Sequence, residues 1–171
     1  MKILTDWGFT REGWRKNSRG EYLVLLQGGL LTAFTILPVY QPPGVKIEST
    51  QLIYLTWIIA SSLGLGALIL IIKALIDLGK SLTPLPYPRE DGSLVKTGIY
   101  GIVRHPLYSG LILAALAWTI FKISLSHLIA TAILLIFFDI KARREEAWLS
   151  EKYSEYSEYR QRVKKLIPGV Y

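Results

Sequence analysis

The stretch Tyr100–Gly110, YGIVRHPLYSG, sets an arginine, a histidine, a proline and a tyrosine within five residues, directly before a strongly apolar run. Proline fits the first position of a helix, where its missing N–H costs nothing and its fixed φ is already helical. Pro106 therefore predicts a helix start. Arg104, His105 and the free N–H groups of that first turn then gather around one spot suited to a carboxylate or another anion. Tyr100 and Tyr108 add flat faces and hydroxyls, and Gly110 lets a ligand approach the backbone closely.

The composition around this stretch is that of a membrane protein. Of 171 residues, 51% are apolar and only 19% charged, whereas a soluble domain carries about a quarter charged. The length has room for one domain. With no cysteine, disulfides, thiolate metal sites and a cysteine nucleophile are excluded, and the redox compartment stays open. The first residues, MKILTDWGFTREGWRKNSRGEY, are too polar for a secretory signal and are expected to be structure. Trp7, Phe9 and Trp14 among basic residues predict an interfacial anchor over 1–21.

No full charge occurs from Tyr22 to Val45 or from Ser49 to Ile72, which predicts two spanning helices within 22–78, the first closed near Pro38 and by the QPPG turn at Gln41–Gly44. Ser62 and Gly66 in the second read as small residues for helix packing. Lys73 and Asp77 lie near its end, within reach of the interface. A proline-rich polar segment follows to Arg104. Two shorter apolar runs, Leu107–Phe121 and Ile123–Phe138, read as two lean spans in preference to a hairpin that barely crosses, because the second continues helically into DIKARREEAWLSEKY. The expected fold is thus all-α, a multi-pass bundle of about four spans.

Charge distribution orients it. The N-terminus, the 79–104 segment and the tail after 138 hold Lys2, Arg11, Arg15, Lys16, Arg19, Lys80, Arg89, Lys96, Arg104 and eight further basic residues from Lys141 to Lys165, while the other side holds Lys46 and Lys122. Both termini are therefore expected in the cytoplasm. The net charge of +7 follows from topology, and nucleic acid drops out as a partner. The expected partners are the lipid bilayer and a lipophilic small-molecule acceptor; a protein partner is left open.

If the last two helices form an antiparallel hairpin, RHPLY and RREE end at one membrane level and face one another. Glu145 and Glu146 then accept from ribose hydroxyls or an amino group, or offset a cation. The cluster suits a zwitterionic nucleoside better than a metal. The chain has two histidines, and His127 is expected on the far side, so no multi-histidine metal site is predicted. Tyr153, Tyr156 and Tyr159 read as a packing stripe.

GSLVKTGIYGIVRHPLYSG and then RREEAWLSEKYSEYSEYRQRVKKLIPG resemble the isoprenylcysteine carboxyl methyltransferase family and its relatives, the phospholipid N-methyltransferases, over roughly Leu78 to the C-terminus. The pattern G-x-Y…R-H-P-x-Y-x-G, followed across a hairpin by E-E-x-x-L, a Tyr-Glu-Tyr-Arg stretch and a late Ile-Pro, carries the resemblance. It implies a multi-pass enzyme that binds S-adenosyl-L-methionine without a Rossmann domain and releases S-adenosyl-L-homocysteine, its site on the cytoplasmic face within 79–171. Carried over by position, Tyr100, His105, Pro106, Tyr108, Gly110, Glu145 and Glu146 contact the cofactor, with Arg104 at the helix start. Arg143 or Arg144 matches a region where the carboxyl methyltransferases have a functional arginine, and Glu146 joins them as a catalytic candidate. A carboxylate acceptor is already ionised at pH 7 and needs no general base, only an arginine clamp on one oxygen and exclusion of water. An amine or thiol would need Glu145, Glu146 or His105 as proton acceptor. Two other readings are a sterol-type reductase using NADPH, against which the paired glutamates and short chain speak, and a non-enzymatic membrane scaffold, which leaves the polar cluster unexplained.

Overall fold

The computed structural model describes residues 7–44 and 49–171; Lys2 and Lys46 of the charge distribution lie outside them. The regular elements among the described residues are helical, with no strand. They form α1 (Arg11–Lys16), α2 (Glu21–Ile36), α3 (Thr50–Leu78), α4 (Pro106–Lys122), α5 (Leu125–Lys152) and α6 (Tyr156–Arg162), with 3₁₀ turns at Gly79–Ser81 and Gly98–Gly101.

Local chemistry sets the boundaries. Thr10 caps α1 by accepting the Gly13 N–H at 2.9 Å, and Ser124 caps α5 by accepting from the His127 N–H, each satisfying a donor the helix itself cannot. Pro106 stands at the first position of α4, as its sequence predicts. α5 runs unbroken from the apolar stretch into the charged one, so the hairpin expected from the sequence is two real helices. α3 and α5 are long and apolar enough to cross a membrane; α2 and α4 are shorter apolar helices of 16 and 17 residues. Ile58, Leu65, Ile76 and Ile136 all expose more than half their surface, and apolar faces this extensive need an apolar environment.

α3 and α4 pack antiparallel over the broadest contact in the molecule. Its seam on α3 is Ala60, Ala67 and Ala74, all buried and seven residues apart, one heptad each. Gly66 meets Leu113 on α4, but Ser62 is exposed and donates to the Ile58 carbonyl of its own helix. The small-residue contact is therefore real, with Ser62 outside it. α4 turns into α5 through Ile123 in a left-handed conformation, φ 49°. Thr119 and Thr131 share a hydrogen bond at 3.0 Å across the resulting hairpin. α2 packs against α5, where Phe34 meets the edge of His127.

The segment between α3 and α4 folds back over the hairpin's charged end. Asp77 accepts the Ile99 N–H at 2.8 Å and pairs with Lys73 at 3.4 Å, tying the Gly98–Gly101 turn to the end of α3. Gly98 has φ 61°, and a Cβ there would collide with the Asp77 carboxylate. Gly98→Ala therefore combines left-handed strain with loss of that anchor. It should destabilise by about 2 kcal/mol, read as a melting temperature roughly 4–8 °C lower. An unchanged melting temperature would show that the turn is not held through Asp77.

The N-terminal aromatics also pack within the protein. Phe9 is buried and stacks on Trp14 at 5.4 Å, and the Trp7 carbonyl accepts from Thr83 at 2.9 Å, so the segment is fastened to the 79–104 fold.

Candidate active site

The start of α4 and the charged part of α5 face one another, as the antiparallel hairpin requires. Glu146 Oε1 accepts from Arg104 Nε at 2.8 Å, lies 2.7 Å from Arg104 Nη2 and 3.1 Å from His105 Nε2. All three side chains are buried. Burial makes such a cluster costly unless every charge is met, and here Arg104 also donates to the carbonyls of Arg160 and Val163. Glu145, partly exposed, accepts the Tyr108 hydroxyl at 2.8 Å and lies 3.7 Å from His105 Nδ1. The His105 and Tyr108 rings stack at 5.4 Å, and Tyr108 stacks on Phe138 at 5.0 Å.

The tail completes the frame. The Arg104 and His105 N–H groups donate to the carbonyls of Lys164 and Lys165 at 2.8 and 3.1 Å. Ser109 donates to the Leu166 carbonyl at 2.6 Å. The Lys164–Leu166 stretch, just before the late Ile-Pro, is thus a strap laid along the start of α4. Tyr159 donates to the Tyr100 carbonyl at 2.6 Å. Burial, with help from the Glu145 charge, pushes the Tyr100 hydroxyl well above its ordinary range, and burial does the same for Tyr156 and Tyr159. These hydroxyls stay protonated, as donors.

Two adjoining cavities share Leu78, Thr83, Tyr100, Arg104 and Glu145 as their common wall. The smaller, about 80 Å³, is bounded by Tyr153, Tyr156 and Tyr159. The larger, about 210 Å³, is bounded by Trp7, Gln27, His105, Tyr108 and Lys141. The Tyr156 hydroxyl is buried without a hydrogen-bond partner, a deficit that a polar ligand in the smaller cavity would relieve.

Several candidates stand differently from their expected places. Glu145, not Glu146, faces the cavities; Glu146 is the buried counter-ion of Arg104 and shares a hydrogen bond with His105. Gly110 faces α3: a Cβ there would sit 2.6 Å from Ile71 Cγ1 and 3.1 Å from the Ala67 carbonyl oxygen, so its bareness serves helix packing and not ligand approach. Arg143 and Arg144 are exposed. Arg143 pairs with Asp139 at 2.7 Å, and Arg144 lies over the Trp148 ring. Neither lines either of these two cavities.

Lys141 and Gln27 were not singled out from the sequence, and Tyr153, Tyr156 and Tyr159, read there as a packing stripe, also line the smaller cavity. The helix period contains the signal: Leu134, Phe138, Lys141 and Glu145 recur at four- and three-residue steps and form one inward stripe. Arg143 and Arg144 fall off that stripe.

A family model described as phospholipid methyltransferase matches residues 55–156, more than half the chain. The chain is 35% identical over 101 residues to a protein-S-isoprenylcysteine O-methyltransferase B of Arabidopsis thaliana, covering 57% of this chain and 51% of that protein. It is 39% identical over 83 residues to a protein-S-isoprenylcysteine O-methyltransferase of Saccharomyces cerevisiae, covering 47% of this chain and 35% of the relative. A methanethiol S-methyltransferase 1 of Bradyrhizobium diazoefficiens is 36% identical over 91 residues, 53% of this chain and 29% of the relative. The matched stretch thus spans about half of the first relative and about a third of the other two.

Proposed function

The chain belongs to the phospholipid methyltransferase family, and from that premise we propose that it is a membrane-embedded methyltransferase that uses S-adenosyl-L-methionine to methylate a lipophilic acceptor, a prenylcysteine-type carboxylate first among them. We place it in the bilayer as about four spans with both termini and the site on the cytoplasmic side. The observation that carries the reading is the paired cavity walled by Tyr100, Arg104 and Glu145 at the mouth of the α4–α5 hairpin.

The residues present fit that cofactor. Tyr153, Tyr156 and Tyr159 offer aromatic faces, and the Tyr156 hydroxyl is without a partner. Glu145 supplies negative charge for an ammonium or sulfonium, or an acceptor for ribose hydroxyls. Bound there, S-adenosyl-L-methionine would supply a methyl group activated by a cationic sulfur. The protein's own part is positional. Arg104 and His105 are locked by Glu146, His105 holds Tyr108 by stacking, and Tyr108 fixes Glu145. Trp7 and residues of the 79–104 segment line the cavities, on the side from which water would have to be excluded. A carboxylate acceptor, ionised at pH 7, then requires orientation and no proton acceptor.

The test is the melting temperature of the detergent-purified protein with S-adenosyl-L-homocysteine or NADPH added separately. A ligand at about 100 times its dissociation constant stabilises the folded state by about 2.7 kcal/mol. Stabilisation by the nucleoside product alone, lost in Glu145→Gln, is the expected result. A shift with NADPH alone would replace this reading with a reductase. Silence from both ligands would leave the fold without its cofactor and favour a scaffold.

A further inference from the structure

The strap over the start of α4 is itself fastened to α5. Lys165, whose carbonyl accepts the His105 N–H, places its ammonium 2.8 Å from Asp139 Oδ1, and both side chains are largely buried. The same Asp139 oxygen accepts the Tyr171 hydroxyl at 2.9 Å. That hydroxyl accepts from Lys165 at 3.1 Å, and the Lys165 ammonium lies 4.9 Å over the Tyr171 ring. Asp139 Oδ2 accepts from Arg143 Nε at 2.7 Å. The Tyr171 main-chain oxygen accepts the N–H groups of Leu166 and Ile167, both at 2.7 Å, which closes the tail on itself. One carboxylate thus gathers three side chains, two of them from the tail. A charge-assisted pair with this little solvent and several partners holds far better than an exposed one.

Asp139, Arg143 and Glu146 recur at four- and three-residue steps, a second stripe on α5 beside the one that faces the cavities. Its two carboxylates stand at the two ends of the strap's work. Glu146 takes the Arg104 side chain, and Asp139 takes Lys165. Between them the strap's carbonyls accept the Arg104 and His105 N–H groups and the Arg104 guanidinium. Arg104 borders both cavities and His105 the larger, so the strap's position passes to the site through the main chain. Apolar burial does little to hold the strap down: Leu166 is buried, but Ile167 and Val170 are exposed. A segment with so few buried apolar contacts frays unless polar tethers fix it.

We propose that Asp139 and Lys165 are positioning residues for the candidate site: their ion pair buckles the Val163–Leu166 strap to α5 and so sets the main chain of Arg104 and His105. Arg143, one of the two arginines that the resemblance put forward for catalysis, steadies the buckle through Asp139. The effect on nucleoside binding rests on the methyltransferase reading above, whereas the hold on the Arg104 and His105 main chain stands without it.

Two measurements on the detergent-purified full chain test the proposal: amide hydrogen exchange of peptides that include Arg104 and His105, and the affinity for S-adenosyl-L-homocysteine. In Asp139→Ala and in Lys165→Met those amides should exchange about tenfold faster than in the wild type, the scale of one charge-assisted hydrogen bond. The nucleoside should bind about tenfold more weakly to each. The double variant should lose no more than either single one, because the two residues act as a pair, and Lys165→Arg should keep most of the wild-type values. Ser124→Ala is the control for general destabilisation: it removes the cap at the other end of α5, and should lower the melting temperature without moving either measurement. Asp139→Asn replaces Asp139→Ala if the latter does not fold. Wild-type exchange and affinity in folded Asp139→Ala and Lys165→Met would overturn the proposal. So would losses that add in the double variant, or equal losses in Ser124→Ala. A wild type that binds no S-adenosyl-L-homocysteine would sink the methyltransferase reading, and hydrogen exchange would then decide the buckle alone.

Discussion

Glu146→Ala is expected to destabilise the purified protein by about 3–5 kcal/mol and to abolish stabilisation by S-adenosyl-L-homocysteine. Its Oε1 receives Arg104 at 2.7–2.8 Å and faces His105 at 3.1 Å, with all three side chains buried. Truncating one partner of a buried ion pair strands the other, which costs far more than the pair's own net worth. The carbonyls of Arg160 and Val163 satisfy Arg104 hydrogen bonds but carry no compensating charge. Arg160 lies 3.7 Å from Glu146 Oε2 yet is largely exposed, so its loss of partner matters little. A melting temperature roughly 10 °C lower is the expected reading. Joint replacement, Arg104→Met with Glu146→Met, separates charge from packing: it should recover much of the stability, since no charge is stranded, and still fail to bind the nucleoside. A Glu146→Ala protein that melts like the wild type would show that the α4 start is held by the tail strap alone.

The same cluster shows what could be read without a structure. Pro106 at a helix start and the charge-free runs are local signals, so α2 to α5 were visible to within a turn. The meeting of His105 with Glu145 and Glu146 followed from one inference, that α4 and α5 are antiparallel neighbours, which makes the two ends coincide. What could not be read is orientation around each helix where charges crowd together. Glu145 and Glu146 are adjacent and chemically identical, and about 100° of helical rotation sends one to the cavity and the other to Arg104. Arg143 and Arg144 looked better placed than Lys141, which lines the larger cavity. Only the stripe through Leu134 and Phe138 shows that Lys141 points inward, and its partner Gln27 lies far away in sequence. The strap from Lys164 to Leu166 was equally hidden, because backbone hydrogen bonds leave no trace in residue type.

Gly110→Val should cost about 3 kcal/mol and greatly reduce methyl transfer, although Gly110 touches neither cavity. A Cβ at this position would lie 2.6 Å from Ile71 Cγ1, 3.1 Å from the Ala67 oxygen and 3.3 Å from the Ile71 nitrogen. Ile71 can rotate its side chain away, but the α3 backbone cannot yield without moving the whole helix, and valine adds two further methyl groups. Overpacking a close helix contact costs about 1–3 kcal/mol, here at the upper end because backbone is the obstacle. Between helices in lipid, close packing is the main attraction and little hydrophobic force compensates for its loss. The functional consequence follows from position: Gly110 lies one turn after Pro106, so prising α4 from α3 also shifts His105 and Tyr108 against Glu145 and Glu146. Displacements of about 1 Å at a reacting centre are enough to cost about a hundredfold in rate. Gly28→Val is the control, since nothing lies within 4 Å of a Cβ there and valine is a somewhat better helix residue than glycine. If both variants melt together, the α3–α4 seam is too compliant to position the site; if Gly110→Val alone loses stability and activity, the site depends on packing as much as on its polar residues.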